Sequence, residues 1–202
     1  MFKLAKLILI RHGQSIWNAE NRFTGWTDVE LSDKGIKEAE DAGSELKDVR
    51  FDVIHTSNLI RAKRTAEIVL SANSASFDVE TKIDWRLNER NYGSLQGQNK
   101  AETAEKHGSE QVRIWRRSFD VAPPDGESLE MTAKRTIPYF KEEILPDLEA
   151  GMNVLVSAHG NSLRSIVMYI ERISPSDIVS FEIPTGIPRY YEYIEGEINL
   201  ID

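Results

Sequence analysis

Apolar positions along the chain fall into two alternating rhythms. Residues 6–11 (KLILIR) are almost continuously apolar, as in a strand buried on both faces. Residues 33–47 then set Ile36, Ala39, Gly43 and Leu46 on one side of a helix, with Ser32 as its cap. A short strand over 51–56 (FDVIHT) leads into a helix over 58–70 with Ala62, Ala66 and Val69 inward. A weaker strand lies near 78–83. The stretch 84–127 is less regular, with short helices expected around 98–107 and 109–118 and a loop at Pro123-Pro124-Asp125-Gly126. A long helix is predicted over 128–149, although Pro138 and Pro146 each remove a helical hydrogen bond within it. A buried strand at 153–158, a helix at 161–172 and two strands near 188–194 and 197–201 complete the pattern. Strands alternating with helices predict an α/β three-layer sandwich, a mostly parallel central sheet flanked by helices. No linker or repeat array interrupts it, so one domain over 1–202 is expected.

Composition narrows the partners. No apolar run approaches the length of a membrane span, and the opening MFKLAKLILIRHG lacks a small-residue cleavage site, so it reads as a strand rather than a leader. The chain has no cysteine, which excludes a disulfide scaffold and a thiol nucleophile and fits a cytoplasmic location. A net charge of −8 argues against nucleic acid as partner.

The chemistry begins with an internal likeness. LILIRHGQS at 7–15 and VLVSAHGNS at 154–162 are both apolar strands that end in His-Gly and pass to a polar residue and serine. Ligands of parallel α/β sheets collect beyond the carboxyl ends of strands, so His12 and His159 are predicted to share one crevice. Gly13 and Gly160 would let backbone approach a ligand or take positive φ, and amides of the next helical turn could meet an anion. A single such histidine could be a satisfied turn residue; the recurrence favours a site. His55 and His107 read as structural. Arg11 and Arg61 fall at the same sheet edge, and guanidinium groups repel metal ions but match phosphate oxygens in bidentate geometry. No metal is expected. Like charges disfavour protonation of imidazole, which would leave His12 a lone pair for attack on phosphorus. Arg64, one turn on, reads as an exposed ion pair. Glu89 stands among turn-forming residues, and its neighbours alone leave open a surface carboxylate or a general acid and base.

The sequence resembles the histidine phosphatase superfamily through RHGQS and AHGNS. More narrowly, it resembles its cofactor-dependent phosphoglycerate mutases. The likeness rests on RHGQSIWNAENRFTGWTDVELSDKG at 11–35, TSNLIRA at 56–62, LNERNYGSLQGQNKAETAEKHG at 87–108, WRRSFDVAPP at 115–124, SAHGNSLR at 157–164 and PTGIP at 184–188. It implies a phosphorylated His12, Glu89 as proton donor and acceptor, and Arg11, Arg61 and His159 around the transferring phosphoryl. It implies substrate contacts at Gly13, Ser15, Asn18, Thr24, Gly25, Arg90, Asn91, Tyr92, Lys100, Arg116, Arg117, Gly160 and Asn161. The implied reaction interconverts 3-phosphoglycerate and 2-phosphoglycerate in glycolysis and gluconeogenesis, primed by 2,3-bisphosphoglycerate. A phosphatase, in which water accepts the group, is the alternative on the same scaffold, and a non-catalytic phosphate-binding module is the reading of another class. Longer members carry an insertion before the segment matching GESL and a tail that closes the site. Their absence here implies a monomer or weak homodimer and a less shielded phosphohistidine.

Overall fold

The computed structural model describes residues 4–201. The outermost residues of the expected domain therefore lie outside the described ones. Six strands form one sheet: β1 (Leu4–Arg11), β2 (Val53–Thr56), β3 (Glu80–Ile83), β4 (Val154–Ala158), β5 (Pro188–Ile194) and β6 (Glu197–Ile201). Their order is β3-β2-β4-β1-β5-β6. β3, β2, β4 and β1 run parallel, whereas β5 and β6 add on antiparallel.

Side-chain alternation explains the layering. On β1, Leu7 and Leu9 face one side and Ile8 and Ile10 the other, and all four are buried. The first pair joins a core with Val154 and Val156, built against Tyr139, Ile144, Leu148, Leu163 and Ile166. These belong to α6 (Leu129–Tyr139), the turn after it, α7 (Leu145–Glu149) and α8 (Gly160–Glu171). The second pair joins Ile54 and Leu155 against Ala42, Leu46, Ala66 and Val69. These come from α2 (Asp33–Glu45) with its C-cap residue, and from α3 (Ile60–Ala72). Helices thus cover both faces, and the expected three-layer sandwich is the observed one. Ser32 caps α2, its hydroxyl accepting from the Gly35 amide at 3.1 Å.

The long helix predicted over 128–149 is not a single α-helix. α6 passes into a π turn over Phe140–Ile144 before α7 resumes. Leu145 donates to the Phe140 carbonyl five residues back, and Pro146, which has no N–H, follows at the start of α7 where none is needed. The irregular stretch holds α4 (Lys100–His107) and α5 (Ser109–Arg117), near their predicted places, and two short 3₁₀ turns at 85–87 and 93–95. A four-residue helix, α1 (Ile16–Ala19), follows β1. No helix among the described residues is long and apolar enough to cross a membrane.

One close approach fixes the route out of β1. A Cβ on Gly13 would lie 2.1 Å from the Gly35 carbonyl oxygen, and one on Gly35 would lie 2.0 Å from that of Gln14. Gly13 does not have positive φ, so this backbone contact is the reason for its lack of a side chain. Gly35→Ala is expected to lower unfolding stability by about 2–3 kcal/mol, read as a reduced urea midpoint at unchanged slope.

Candidate active site

β1 and β4 are adjacent and in register, Arg11 opposite Ala158, so the two His-Gly segments leave the sheet side by side. The His12 amide donates to the Ala158 carbonyl at 3.0 Å. The two imidazole centroids are 4.9 Å apart, edge to face. His12 lines a cavity of about 130 Å³, whereas His159, fully buried, packs against His12 and is not among the lining residues. The cavity is well under the roughly 300–1,000 Å³ of pockets for drug-sized ligands, and suits a small polar one.

His12 is buried, and its Nδ1 lies 2.6 Å from the Gly13 carbonyl oxygen. A carbonyl only accepts, so Nδ1 carries the proton and Nε2 keeps its lone pair. The pKa of His12 lies well below the usual histidine value, because of burial first and then the Arg61 and Arg11 charges. Positive neighbours, which the sequence suggested as the cause, are thus second to desolvation. His159 is lowered likewise, by burial, then Arg61 and His12. Its Nε2 is 2.7 Å from Ser57 Oγ, while its Nδ1 has no partner among the described residues.

The cations around them are held by backbone carbonyls. Arg61 is fully buried and donates to the carbonyls of Gly25 at 2.7 Å and Thr27 at 3.0 Å. Arg11 donates to the Ile183 carbonyl at 2.9 Å. A Cβ on Gly160 would sit 3.5 Å from the Arg11 guanidinium, so the glycine lets that group lie against the start of α8. The Nε atoms of Arg11 and Arg61 and the Thr24 hydroxyl are buried without protein partners among the described residues. Unpaired donors in one cavity suit an anion rich in acceptor oxygens.

Glu89 is buried in the cavity wall. Its Oε1 accepts from the amides of Arg90 at 2.7 Å and Asn161 at 3.1 Å, which leaves Oε2 without a hydrogen bond among the described residues. The first turn of α8 thus meets the protein's own carboxylate, where the sequence pointed to a ligand. Arg135 of α6, unmarked by any sequence signal, clamps the carbonyls of Arg86, Asn88 and Glu89, and the Trp26 indole also donates to the Glu89 carbonyl.

Asn18, Thr24, Gly25, Tyr92, Lys100, Arg116, Arg117, Gly160 and Asn161 all line the same cavity. Gly13, Ser15, Arg90 and Asn91 do not. The Gly13 amide is taken by Thr65 Oγ1. Ser15 is the N-cap of α1, its hydroxyl committed to the Asn18 amide at 3.1 Å. Arg90 lies behind the wall, where it donates to the Tyr92 hydroxyl and the Arg116 carbonyl and so holds both residues toward the cavity. Asn91 closes a turn, with Oδ1 accepting from the Gly93 amide. Arg22, Phe23, Arg164, Glu182 and Ile183 also line the cavity and were not anticipated. Arg164 stands one helical turn beyond Gly160, a signal that was readable. Glu182 offered none.

His55 has a structural place. Tyr139 OH and Asp147 Oδ2 flank its ring at 2.8 Å each, and Lys82 pairs with Asp147. Burial draws its pKa down to about 4. His107 packs against Trp115 in the last turn of α4, and Arg64 pairs with Glu67 in solvent.

The histidine phosphatase superfamily (branch 1) profile matches residues 7–200. The chain belongs to the histidine phosphatase superfamily. Relatives named 2,3-bisphosphoglycerate-dependent phosphoglycerate mutase group it with the mutases of that superfamily. The protein from Cytophaga hutchinsonii is 52% identical over 93% of the chain and 87% of its own length. That from Protochlamydia amoebophila is 46% identical over 96% and 97%. A longer Arabidopsis thaliana relative is 48% identical over 96% of the chain, which spans 66% of that protein. Solved structures share the fold. A mycobacterial glucosyl-3-phosphoglycerate phosphatase superposes with a TM-score of 0.83 at 23% identity, covering 97% of each chain. A phosphoglycerate mutase from Bacillus anthracis gives 0.79 at 24%, covering 100% of this chain and 93% of the other.

Two pH effects follow. His12, His159 and His55 all have native pKa values below the unfolded value of about 6.5, so the unfolded chain binds more protons in that window and stability falls as pH drops below it. The melting temperature should decline from pH 7 to pH 5, with a shallower slope in His12→Asn, whose amide can still donate to Gly13. Lys100 is lowered to about 8 by burial and by Arg116 and Arg11. Affinity for phosphorylated acids should be full below that pH and weaken as pH rises through it, and Lys100→Arg should flatten the profile in a calorimetric titration.

Proposed function

We propose that this chain is a 2,3-bisphosphoglycerate-dependent phosphoglycerate mutase, interconverting 3-phosphoglycerate and 2-phosphoglycerate through a phosphohistidine at His12. The carrying observation is the His12 tautomer: with Nδ1 tied to the Gly13 carbonyl, Nε2 holds a lone pair among guanidinium groups. The mutase relatives support the choice of reaction.

2,3-Bisphosphoglycerate supplies the priming phosphoryl. The buried donors of Arg11, Arg61 and Thr24 fit the oxygens of such a group. His12 Nε2 attacks phosphorus and forms the P–N bond as the P–O bond to the departing oxygen breaks. Arg11, Arg61 and His159 stabilise charge on the equatorial oxygens. Glu89 gives a proton to the departing oxygen and takes one from the incoming hydroxyl in the reverse sense. His12 then passes its phosphoryl to the 2-hydroxyl of 3-phosphoglycerate and recovers one from the 3-position after the intermediate turns. Lys100, Arg116 and Arg117 hold the substrate's remaining anionic groups. The expected partners are small phosphorylated three-carbon acids.

Brief exposure to 2,3-bisphosphoglycerate should add one phosphoryl by intact mass, labile in acid and stable in base. His12→Ala should abolish both the label and turnover; mutase activity retained in that variant would reject the scheme. Glu89→Gln should lower kcat by about 10²–10⁴. Orthophosphate as the main product, in place of 2-phosphoglycerate, would assign water as the acceptor.

A further inference from the structure

Phosphoryl chemistry accounts for one of the cavity's two carboxylates. Glu89 faces the reacting groups; Glu182 does not have that task, yet it lines the same anion-binding cavity. It stands on the connection between α8 and β5, and its backbone is fixed from the next residue onward. The Ile183 carbonyl accepts from Arg11 Nη1, Thr185 bridges to Arg11, and the Gly186 amide donates to the Arg11 carbonyl at 3.0 Å.

The Glu182 carboxylate pairs with Arg117, the last residue of α5, and the exposure of the two side chains, 59% and 35%, puts the pair at the outer, solvent side of the cavity. The pair joins cavity walls 65 residues apart in sequence. Its negative charge also acts on Arg164, opposing the effect of burial and of Arg90 on that guanidinium. Arg117 is therefore partly neutralised by the protein itself. A ligand group reaching the outer half of the cavity must compete with Glu182 for Arg117, and Glu182 repels it. The repulsion grows with the charge of that group, so it is larger for a phosphate than for a carboxylate.

We infer that Glu182 is a specificity-determining residue, which holds Arg117 as counter-ion and weakens the outer half of the cavity toward a second phosphate. The inference rests on the proposed reading of the cavity as a site for phosphorylated acids. The favoured ligand class is the short acid with one phosphate, seated by that phosphate at the histidines with its carboxylate outward. A loose outer phosphate also serves the mutase cycle. The bisphosphorylated intermediate must break its outer contacts to turn, and tight contacts there would slow that step.

The test uses His12→Asn protein, so that no phosphoryl moves, and titrates 3-phosphoglycerate and 2,3-bisphosphoglycerate by calorimetry with and without Glu182→Gln. Loss of the charge should tighten the bisphosphate about tenfold and the monophosphate about threefold. With Arg117→Gln also present, the effect of Glu182→Gln should shrink to about twofold or less. Binding of both acids with an unchanged ratio would overturn the inference while leaving the mutase reading intact. Weaker binding of both would also overturn it, assigning Glu182 the positioning of Arg117 instead. Failure of either acid to bind in any variant would reject the phosphorylated-acid reading, and the inference with it.

Discussion

The site depends on one short hydrogen bond, from His12 Nδ1 to the carbonyl of its neighbour Gly13. It fixes the tautomer, and so decides which nitrogen presents a lone pair. It works only because His12 stays neutral: a protonated ring would still satisfy Gly13 but would have no lone pair. Burial keeps the proton away, and Arg61 and Arg11 reinforce it. The guanidinium groups that line the cavity thus also keep the His12 lone pair free. The backbone at Gly13 is itself constrained, since it passes within contact of Gly35 at the start of α2. The geometry at His12 and the packing of a helix onto the sheet are one arrangement.

Burying guanidinium groups costs free energy unless they are paired, and here the pairing is mostly with carbonyls. Arg61 is held by loop carbonyls at 25 and 27, Arg11 by Ile183, Arg164 by Ile178, and Arg90 by Arg116. A carbonyl orients an arginine without cancelling its charge. The cost shows in the Nε atoms of Arg11, Arg61, Arg90 and Arg164, which have no partner among the described residues. Such departures from full hydrogen bonding are expected where function, not stability, selects the residues.

Local signals in the sequence carried much of this. Continuous apolar runs and helical rhythms marked the order of elements, because strands covered on both faces are apolar throughout while each helix buries one side. The repeated His-Gly ending located the site, because adjacent parallel strands bring their carboxyl ends together. The division between cavity wall and supporting residues was not legible. Ser15 and Asn91 carry the polar groups of substrate contacts, but their own backbone claims them for a cap and a turn. Arg90 is indistinguishable in sequence from its cavity-lining neighbours. The π turn depends on where two prolines fall relative to the core, which propensity alone does not specify. Arg135 and Glu182 act through contacts far along the chain, and neither belongs to a local pattern.

An acidic protein that gathers phosphate esters presents an electrostatic tension: the net charge of −8 repels its own ligands at a distance. Screening resolves it, since at physiological ionic strength fields decay over about 8 Å. Beyond that range a ligand meets a surface whose repulsion is largely damped. Within it, the ligand meets six arginines and one lysine against two glutamates. The local excess is larger than the charge of a short acid with one phosphate, so capture is decided at the mouth rather than by the whole molecule. The same excess would hold a multiply charged product too long. A carboxylate placed among the outer cations moderates that hold while leaving the inner guanidinium groups at full strength beside the histidines. The balance between binding and release is thus set by where the negative charge stands within the cavity, not by how many cations surround it.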